Sequence, residues 1–129
     1  MGYTEKKHGT EIALHAQPDT LHGQTGASGA LTIECKNHSM VQLTLQILSL
    51  SSDNPTVALP QLGNPGPKFN APRRPNKRSA KVPSISSAVV GTWVAGVPGP
   101  ATIDARVEVL APPGMFFFDA TPTTDVKVT

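Results

Sequence analysis

Residues 31–36 read LTIECK, where apolar side chains at the odd positions alternate with polar side chains at the even positions. Residues 41–47, VQLTLQI, repeat the alternation after a short polar break. Successive side chains of a β-strand point to opposite faces, so this period of two predicts two half-buried strands. The polar residues 36–39 between them predict a hairpin connection. The phase changes at Leu48 and Leu50, which predicts a β-bulge or a change of sheet there.

The C-terminal half contains the same alternation. Residues 101–109, ATIDARVEV, place four apolar side chains on one face of a strand, namely Ile103, Ala105, Val107 and Val109. Shorter strands are predicted at residues 11–16, 56–59, 85–94, 115–118 and 124–128. The strand at 56–59 is predicted to be an edge strand closed by Pro60. Seven or eight short strands at this spacing are typical of a β-sandwich.

The composition favours an all-β fold in a single domain. Thirteen prolines and eleven glycines interrupt the 129-residue chain so often that long helices have no room. A chain of this length fits one domain. We therefore predict one domain over residues 11–129, preceded by a flexible polar tail over residues 1–10.

A proline-rich segment over residues 61–83, which we call the basic arm, interrupts the strand pattern. It is predicted to be a long irregular loop, because its prolines lack the N–H groups that a sheet interior requires. No acidic residue lies between Asn54 and Ile103, whereas the rest of the chain has nine acidic and five basic residues. The arm supplies six predicted partner-binding cations: Lys68, Arg73, Arg74, Lys77, Arg78 and Lys81.

Three hypotheses describe the basic arm. Its prolines can pre-extend it, so that its cations dock in an acidic groove of a neighbouring protein subunit at a low entropic cost. Its cations can instead neutralise nucleic-acid phosphates, although Phe69 is the one aromatic side chain it offers to a base. It can also be a solvated loop without a partner. We favour the protein partner.

Residues 115–118, MFFF, contain three of the four phenylalanines. A strand buries only alternate side chains on one face, so at least one ring is predicted to point outward. Phe117 is therefore a candidate contact with a partner or with a second copy of the chain. Packing beneath the basic arm would also account for an outward ring.

No catalytic, metal-binding or cofactor-binding site is predicted. Cys35, His38 and Met40 suggest a copper loop, but Cys35 continues the inward phase of its strand and is better explained as a buried thiol. The seven-residue spacing of His8, His15 and His22 suggest a zinc site by their regular spacing of seven residues, but this spacing sends successive side chains of a strand to opposite faces. The glycine-rich residues 23–29 precede a strand rather than the helix that a phosphate loop requires.

The sequence also bears on the location of the protein. Residues 1–8 are polar and lead into no apolar stretch, so no signal peptide and no membrane association are predicted. Cys35 is the single cysteine, which excludes an intrachain disulfide. This favours a reducing compartment or a virion assembled inside a cell. We therefore expect a protein that is not exported through a standard signal, located in the cytoplasm or in a virion.

Three segments resemble bacterial and phage immunoglobulin-like (Ig-like) modules: residues 50–60, LSSDNPTVALP; residues 100–107, PATIDARV; and residues 125–129, DVKVT. The resemblance implies an antiparallel Ig-like β-sandwich with a structural or adhesive role and no catalytic centre. The basic arm departs from this pattern, because the corresponding connection in such modules usually has only a few residues.

The sequence thus predicts a non-enzymatic structural or interaction module. The resemblance implies a phage capsid decoration or accessory virion protein whose partner is the major capsid protein or another virion subunit, with a homo-oligomer as a further possibility. Two alternatives are a cell-surface adhesion module that binds a protein or glycan, and a protein that binds nucleic acid through the basic arm.

Overall fold

The structure is a computed structural model that describes residues 2–23, 26–63, 67–75 and 82–129. The described residues form eleven β-strands and no helix. The strands are β1 (Glu5–Lys7), β2 (Thr10–Gln17), β3 (Thr20–Leu21), β4 (Ser28–Asn37), β5 (Leu43–Ser52), β6 (Ala58–Leu62), β7 (Lys68–Ala71), β8 (Ser84–Ala95), β9 (Gly99–Ala111), β10 (Met115–Ala120) and β11 (Thr123–Val128).

The strands make two sheets that face each other. Sheet I has the order β1-β2-β4-β8-β6, and sheet II has the order β3-β11-β9-β5-β7. Strands β10 and β11 lie one after the other along β9, at residues 107–111 and 99–104 respectively. Every pairing among the described strands is antiparallel except that of β3 with β11. The predicted all-β sandwich is confirmed.

The core lies between the sheets and follows the predicted alternation. The four inward side chains of β9, from Ile103 to Val109, are fully buried, and so are Leu31, Ile33 and Cys35 of β4. Trp93 of β8 is the largest fully buried side chain. These apolar side chains come from both sheets and form one cluster, as the removal of apolar surface from water requires.

The predicted hairpin at residues 36–39 is wrong. Strand β4 belongs to sheet I and β5 to sheet II, so residues 38–42 cross between the sheets. Alternation identifies the buried face of a strand, but both sheets bury a face against the same core. The predicted irregularity at Leu48 is confirmed as a β-bulge, because the register of β5 on β9 shifts between Ile47 and Ser49.

The flexible tail predicted over residues 1–10 is also wrong. Strand β1 pairs with β2, and the backbones of Tyr3 and Thr123 exchange two hydrogen bonds of 3.1 and 2.9 Å. The N-terminal segment thus contacts β11 of sheet II and then joins sheet I. It was missed because its three-residue strand is polar and mostly exposed, and such a strand has no apolar alternation.

The basic arm is more regular than predicted. Strand β6 continues through Pro60 to Leu62, which an edge strand tolerates because the missing N–H faces away from its neighbour. Strand β7 then pairs with β5 in sheet II, where Ala71 is buried and Phe69 packs against the core. Residues 64–66 and 76–81 lie outside the described residues. Strands β1, β3 and β7 raise the total above the predicted seven or eight.

Candidate functional site: the loop end of the sandwich

Four connections meet at one end of the sandwich, which we call the loop end. In sheet I, the ladder places Asn37, the last residue of β4, beside Thr10 of β2 and Ser84 of β8. In sheet II, Leu43 at the start of β5 pairs with Ala71 of β7. The loop end therefore combines the β1–β2 turn, the β4–β5 connection, the start of the β7–β8 connection and the β9–β10 turn.

The fully buried side chain of Asn37 organises these connections. Its amide nitrogen donates to the carbonyl oxygens of Val41, Ala71 and Pro72 at 2.9, 3.2 and 3.1 Å. Its side-chain oxygen accepts hydrogen bonds from the backbone and hydroxyl groups of Ser39 at 2.9 and 2.6 Å. A buried amide is stable only when its polar atoms are paired. Asn37 therefore fixes the β4–β5 connection against the basic arm.

A series of contacts links the β9–β10 hairpin to the basic arm. The ring of Phe117 lies 4.9 Å from the ring of His8, measured between centroids. The carbonyl oxygen of Gly9 accepts a 2.8 Å hydrogen bond from the backbone of His38. One residue further on, the carbonyl oxygen of Ser39 accepts a 2.9 Å hydrogen bond from the backbone of Arg74. Phe117 and Arg74, both predicted partner contacts, thus lie on one connected surface.

Five large apolar side chains in the described part of the loop end are exposed. In the β9–β10 hairpin, Met115, Phe116 and Phe117 are 68, 59 and 40% exposed. Met40 and Val41 of the β4–β5 connection are 42 and 45% exposed. The register of β10 on β9 shifts between Phe116 and Phe118, so the bulge turns Phe117 away from the core that Phe118 enters. The predicted outward phenylalanine is confirmed, and a second one, Phe116, accompanies it.

The structure places three of the six predicted arm cations. Lys68 lies exposed on β7 and pairs with Gln46, several residues from the loop end. Arg73 is exposed at the loop end, and Arg74 lines a depression of about 360 Å³ together with His38, Ser39 and Met40. The other three cations, Lys77, Arg78 and Lys81, lie outside the described residues.

Sequence reasoning missed two cations of the loop end. Lys6 and Lys7 are exposed on β1, beside the turn that contains His8. Near these lysines, the carboxylate of Glu11 lies 3.0 Å from Nε2 of His38 and 3.9 Å from Nζ of Lys6. The hydrogen bond with His38, followed by the charge of Lys6, lowers the pKa of Glu11. The two lysines escaped notice because residues 1–10 were assigned to a tail.

The candidate copper and zinc ligands do not converge. Cys35 is buried, and burial raises the pKa of its thiol to about 12. His15 lies 3.9 Å from Glu34, whereas His22 lies 3.0 Å from the hydroxyl of Thr129. Within the described ranges, no group of three or more histidine, cysteine, aspartate or glutamate side chains is placed to hold a metal ion. Cys35 is therefore the predicted structural thiol.

No helix among the residues that the structure covers is long and apolar enough to cross a membrane.

Comparison with known proteins bears on the fold. No protein-family model matches the sequence, and no curated protein matches it either. One chain in the crystal structure of the complex between zinc 2-glycoprotein (ZAG) and prolactin inducible protein (PIP) from human seminal plasma is similar, with a TM-score of 0.50 and 12% sequence identity. The similarity covers 92% of this chain and 93% of that chain. At this identity the likeness shows the fold alone: the chain is an all-β protein with an Ig-like sandwich fold.

Proposed function

We propose that the chain is a non-catalytic interaction module that binds a protein partner through its loop end. The carrying observation is the connected surface that joins Phe117 to Arg74, with exposed apolar side chains beside cations. Protein interfaces commonly place apolar and aromatic side chains at the centre and polar side chains at the rim. The sandwich supplies the rigid scaffold, and its connections supply the contacts.

The exposed hairpin supports an apolar anchor. Met115, Phe116 and Phe117 are consecutive in the sequence and all exposed, and aromatic and methionine side chains are enriched in protein interfaces. Ring contacts with His8 hold Phe117 in place, which reduces the entropy that an ordered contact would cost. Cations beside such an anchor steer an acidic partner and fix its orientation.

The partner that we propose is a protein surface of a phage particle, such as the major capsid protein or another virion subunit. The virion context rests on the resemblance of residues 50–60, 100–107 and 125–129 to bacterial and phage Ig-like modules. The similar solved structure is a complex of two proteins, which is in keeping with a protein partner. The alternative of nucleic-acid binding loses support, because Phe69 packs against the core and is not free to stack on a base.

Substitution tests this proposal better than deletion of the basic arm, because deletion would remove β7. We would compare the double variants R73E/R74E and F116S/F117S with the wild-type chain in co-sedimentation with capsids that lack the protein. The control is R106E, which reverses the charge of an exposed cation in the middle of β9, away from the loop end. Far-UV circular dichroism would verify that each variant is folded.

We expect both loop-end variants to lose co-sedimentation by at least about tenfold, while the control retains it. Failure of the wild-type chain to co-sediment would refute the virion partner. Unchanged binding by both loop-end variants would refute the loop end as the binding surface.

A further inference from the structure

A groove lies on sheet II at the end of the sandwich opposite the loop end. Its cavity of about 550 Å³ is within the size range of pockets that receive bulky groups, roughly 300–1,000 Å³. Pro100 is exposed in it, whereas Ala101 and Val126 lie buried in the core beneath it. Three carboxylates and one cation also line it, namely Asp19, Asp53, Asp125 and Lys127. We call this feature the acidic groove.

Thr102 holds two of the three carboxylates of the acidic groove in place, those of Asp53 and Asp125. The backbone N–H of Thr102 donates a 2.8 Å hydrogen bond to Asp53. Its hydroxyl donates a 2.9 Å hydrogen bond to Asp125. Asp53 also donates its backbone N–H to the carbonyl oxygen of Thr102, at 3.0 Å. The groove is therefore preorganised, and little entropy would be lost in ordering it around a cationic partner.

The two ends of the sandwich carry complementary features. Among the described residues, the loop end presents Lys6, Lys7, Arg73 and Arg74 together with an exposed apolar hairpin. The opposite end presents a recess lined by Pro100 and by acidic side chains. An exposed apolar hairpin with cations nearby thus complements a recess with carboxylates in charge, and the recess is large enough to receive its side chains.

The β9–β10 hairpin of a molecule cannot reach the acidic groove of the same molecule. Strand β9 runs from Pro100 in the acidic groove to Ala111 at the hairpin, and its length at about 3.3 Å per residue is roughly 40 Å. A rigid sheet keeps these two ends apart. The occupant of the groove must then be supplied by another molecule, and a second copy of this chain carries the complementary hairpin.

We propose that the β9–β10 hairpin of one copy docks in the acidic groove of the next copy, in a head-to-tail contact. Met115 and Phe116 enter the recess, while Lys6 and Lys7 approach Asp19 and Asp53. Because the contact joins two different surfaces, it repeats and generates a ring or an open chain of copies. This inference rests on the loop end that the proposed function also uses.

Two complementary variants test the head-to-tail contact by sedimentation velocity. M115D/F116D disables the hairpin, and D19K/D53K disables the groove. Each variant alone is expected to be monomeric at concentrations at which the wild-type chain associates. Their equimolar mixture is expected to form a dimer and nothing larger, because one functional hairpin and one functional groove remain. Raising the salt from about 0.05 M to about 0.5 M is expected to weaken wild-type association at least about tenfold.

A more conservative groove variant controls for misfolding of D19K/D53K. D19N/D53N removes two charges but leaves an acceptor for the backbone of Thr102, and it is expected to weaken association in the same direction. K127E, which removes the cation from the groove, is expected to strengthen association. A wild-type chain that stays monomeric at about 1 mM, a concentration above the dissociation constant of weak specific contacts, overturns the inference. A mixture that forms no dimer also overturns it.

The capsid experiment separates this inference from the proposed function. Groove variants leave the loop end unchanged, so they are expected to co-sediment with capsids as single copies even when they no longer self-associate. Loss of self-association with capsid binding retained supports both proposals. Self-association without capsid binding would leave the head-to-tail contact standing and refute the virion partner.

Discussion

The side-chain amide of Asn37 donates a hydrogen bond to the carbonyl oxygen of Pro72, 3.1 Å away, and so ties the end of β4 to the basic arm. The two residues lie 35 positions apart in the sequence, and Pro72 directly follows a strand of the other sheet. The same amide holds Val41 of the β4–β5 connection. One buried polar side chain thereby fixes two connections of the surface that we propose for partner binding.

Replacement of Asn37 by alanine is expected to destabilise the fold by about 3 kcal/mol, because it removes the donor to three carbonyl groups, of which the bond to Ala71 is buried. The measurement is the free energy of unfolding from urea denaturation followed by circular dichroism. S51A serves as a control, since it removes an exposed hydroxyl that donates to Asp104, away from Asn37, and should cost about 1 kcal/mol or less. Equal losses for the two variants would contradict the organising role of Asn37.

Trp93 gives a second test of the core. Its side chain is fully buried, and its indole N–H donates to the carbonyl oxygen of Pro18 at 3.2 Å. W93F is expected to cost about 2 kcal/mol through the lost hydrogen bond and a small cavity, and W93A about 4 kcal/mol through a larger cavity. Circular dichroism is the appropriate probe, because Trp93 is the single tryptophan. A cost of W93A no larger than that of W93F would show that the site collapses around the change.

Much of the sandwich was predictable because local alternation reports which side chains are buried. Strands β4, β5 and β9 were identified in this way, and so was the bulge near Leu48. The assignment of β4 and β5 to one hairpin failed because alternation is the same for strands in either sheet. Strands β1 and β7 were missed because each is short and only partly buried, so their pairing depends on neighbours distant in the sequence.

For the loop end, the sequence predicted some of the exposed residues but not which residues the strand pairing brings together. The run of three phenylalanines predicted an exposed ring, with Phe117 as the candidate, because a strand cannot bury consecutive side chains on one face. The cations of the basic arm were visible as a charge imbalance. Nothing local indicated that Lys6, Lys7 and the buried Asn37 lie at the same end, since only the strand register brings them together.

The pairing of Glu11 with His38 predicts that the stability of the fold depends on pH in the acidic range. The pKa of Glu11 is lowered in the folded chain, so the folded state binds fewer protons than the unfolded state near the ordinary carboxyl pKa. The stabilisation is therefore fully present above that ordinary pKa, about 4.3. It is lost as the pH falls through the lowered value.

This dependence can be isolated by comparing the wild-type chain with E11Q. The melting temperature of the wild-type chain is expected to exceed that of E11Q at about pH 7, and the difference is expected to vanish at about pH 2. E34Q is the matched control, since Glu34 lies on the same outer face of sheet I at 3.9 Å from His15. A difference that does not change with pH would indicate that Glu11 acts through packing instead of charge.

The thiol of Cys35 is expected to react very slowly in the folded chain. Its side chain is fully buried, and burial raises the pKa of the thiol to about 12, so almost no thiolate exists near neutral pH. Ellman's reagent reacts with the thiolate, so the native chain should react at least about a hundredfold more slowly at about pH 8 than the chain in denaturant. Because Cys35 is the single cysteine, the rate of modification also reports opening of the core. N37A and W93A are expected to accelerate the reaction, whereas R106E should not. Rapid modification of the native wild-type chain would mean that β4 leaves the core far more often than its buried ladder with β2 and β8 implies.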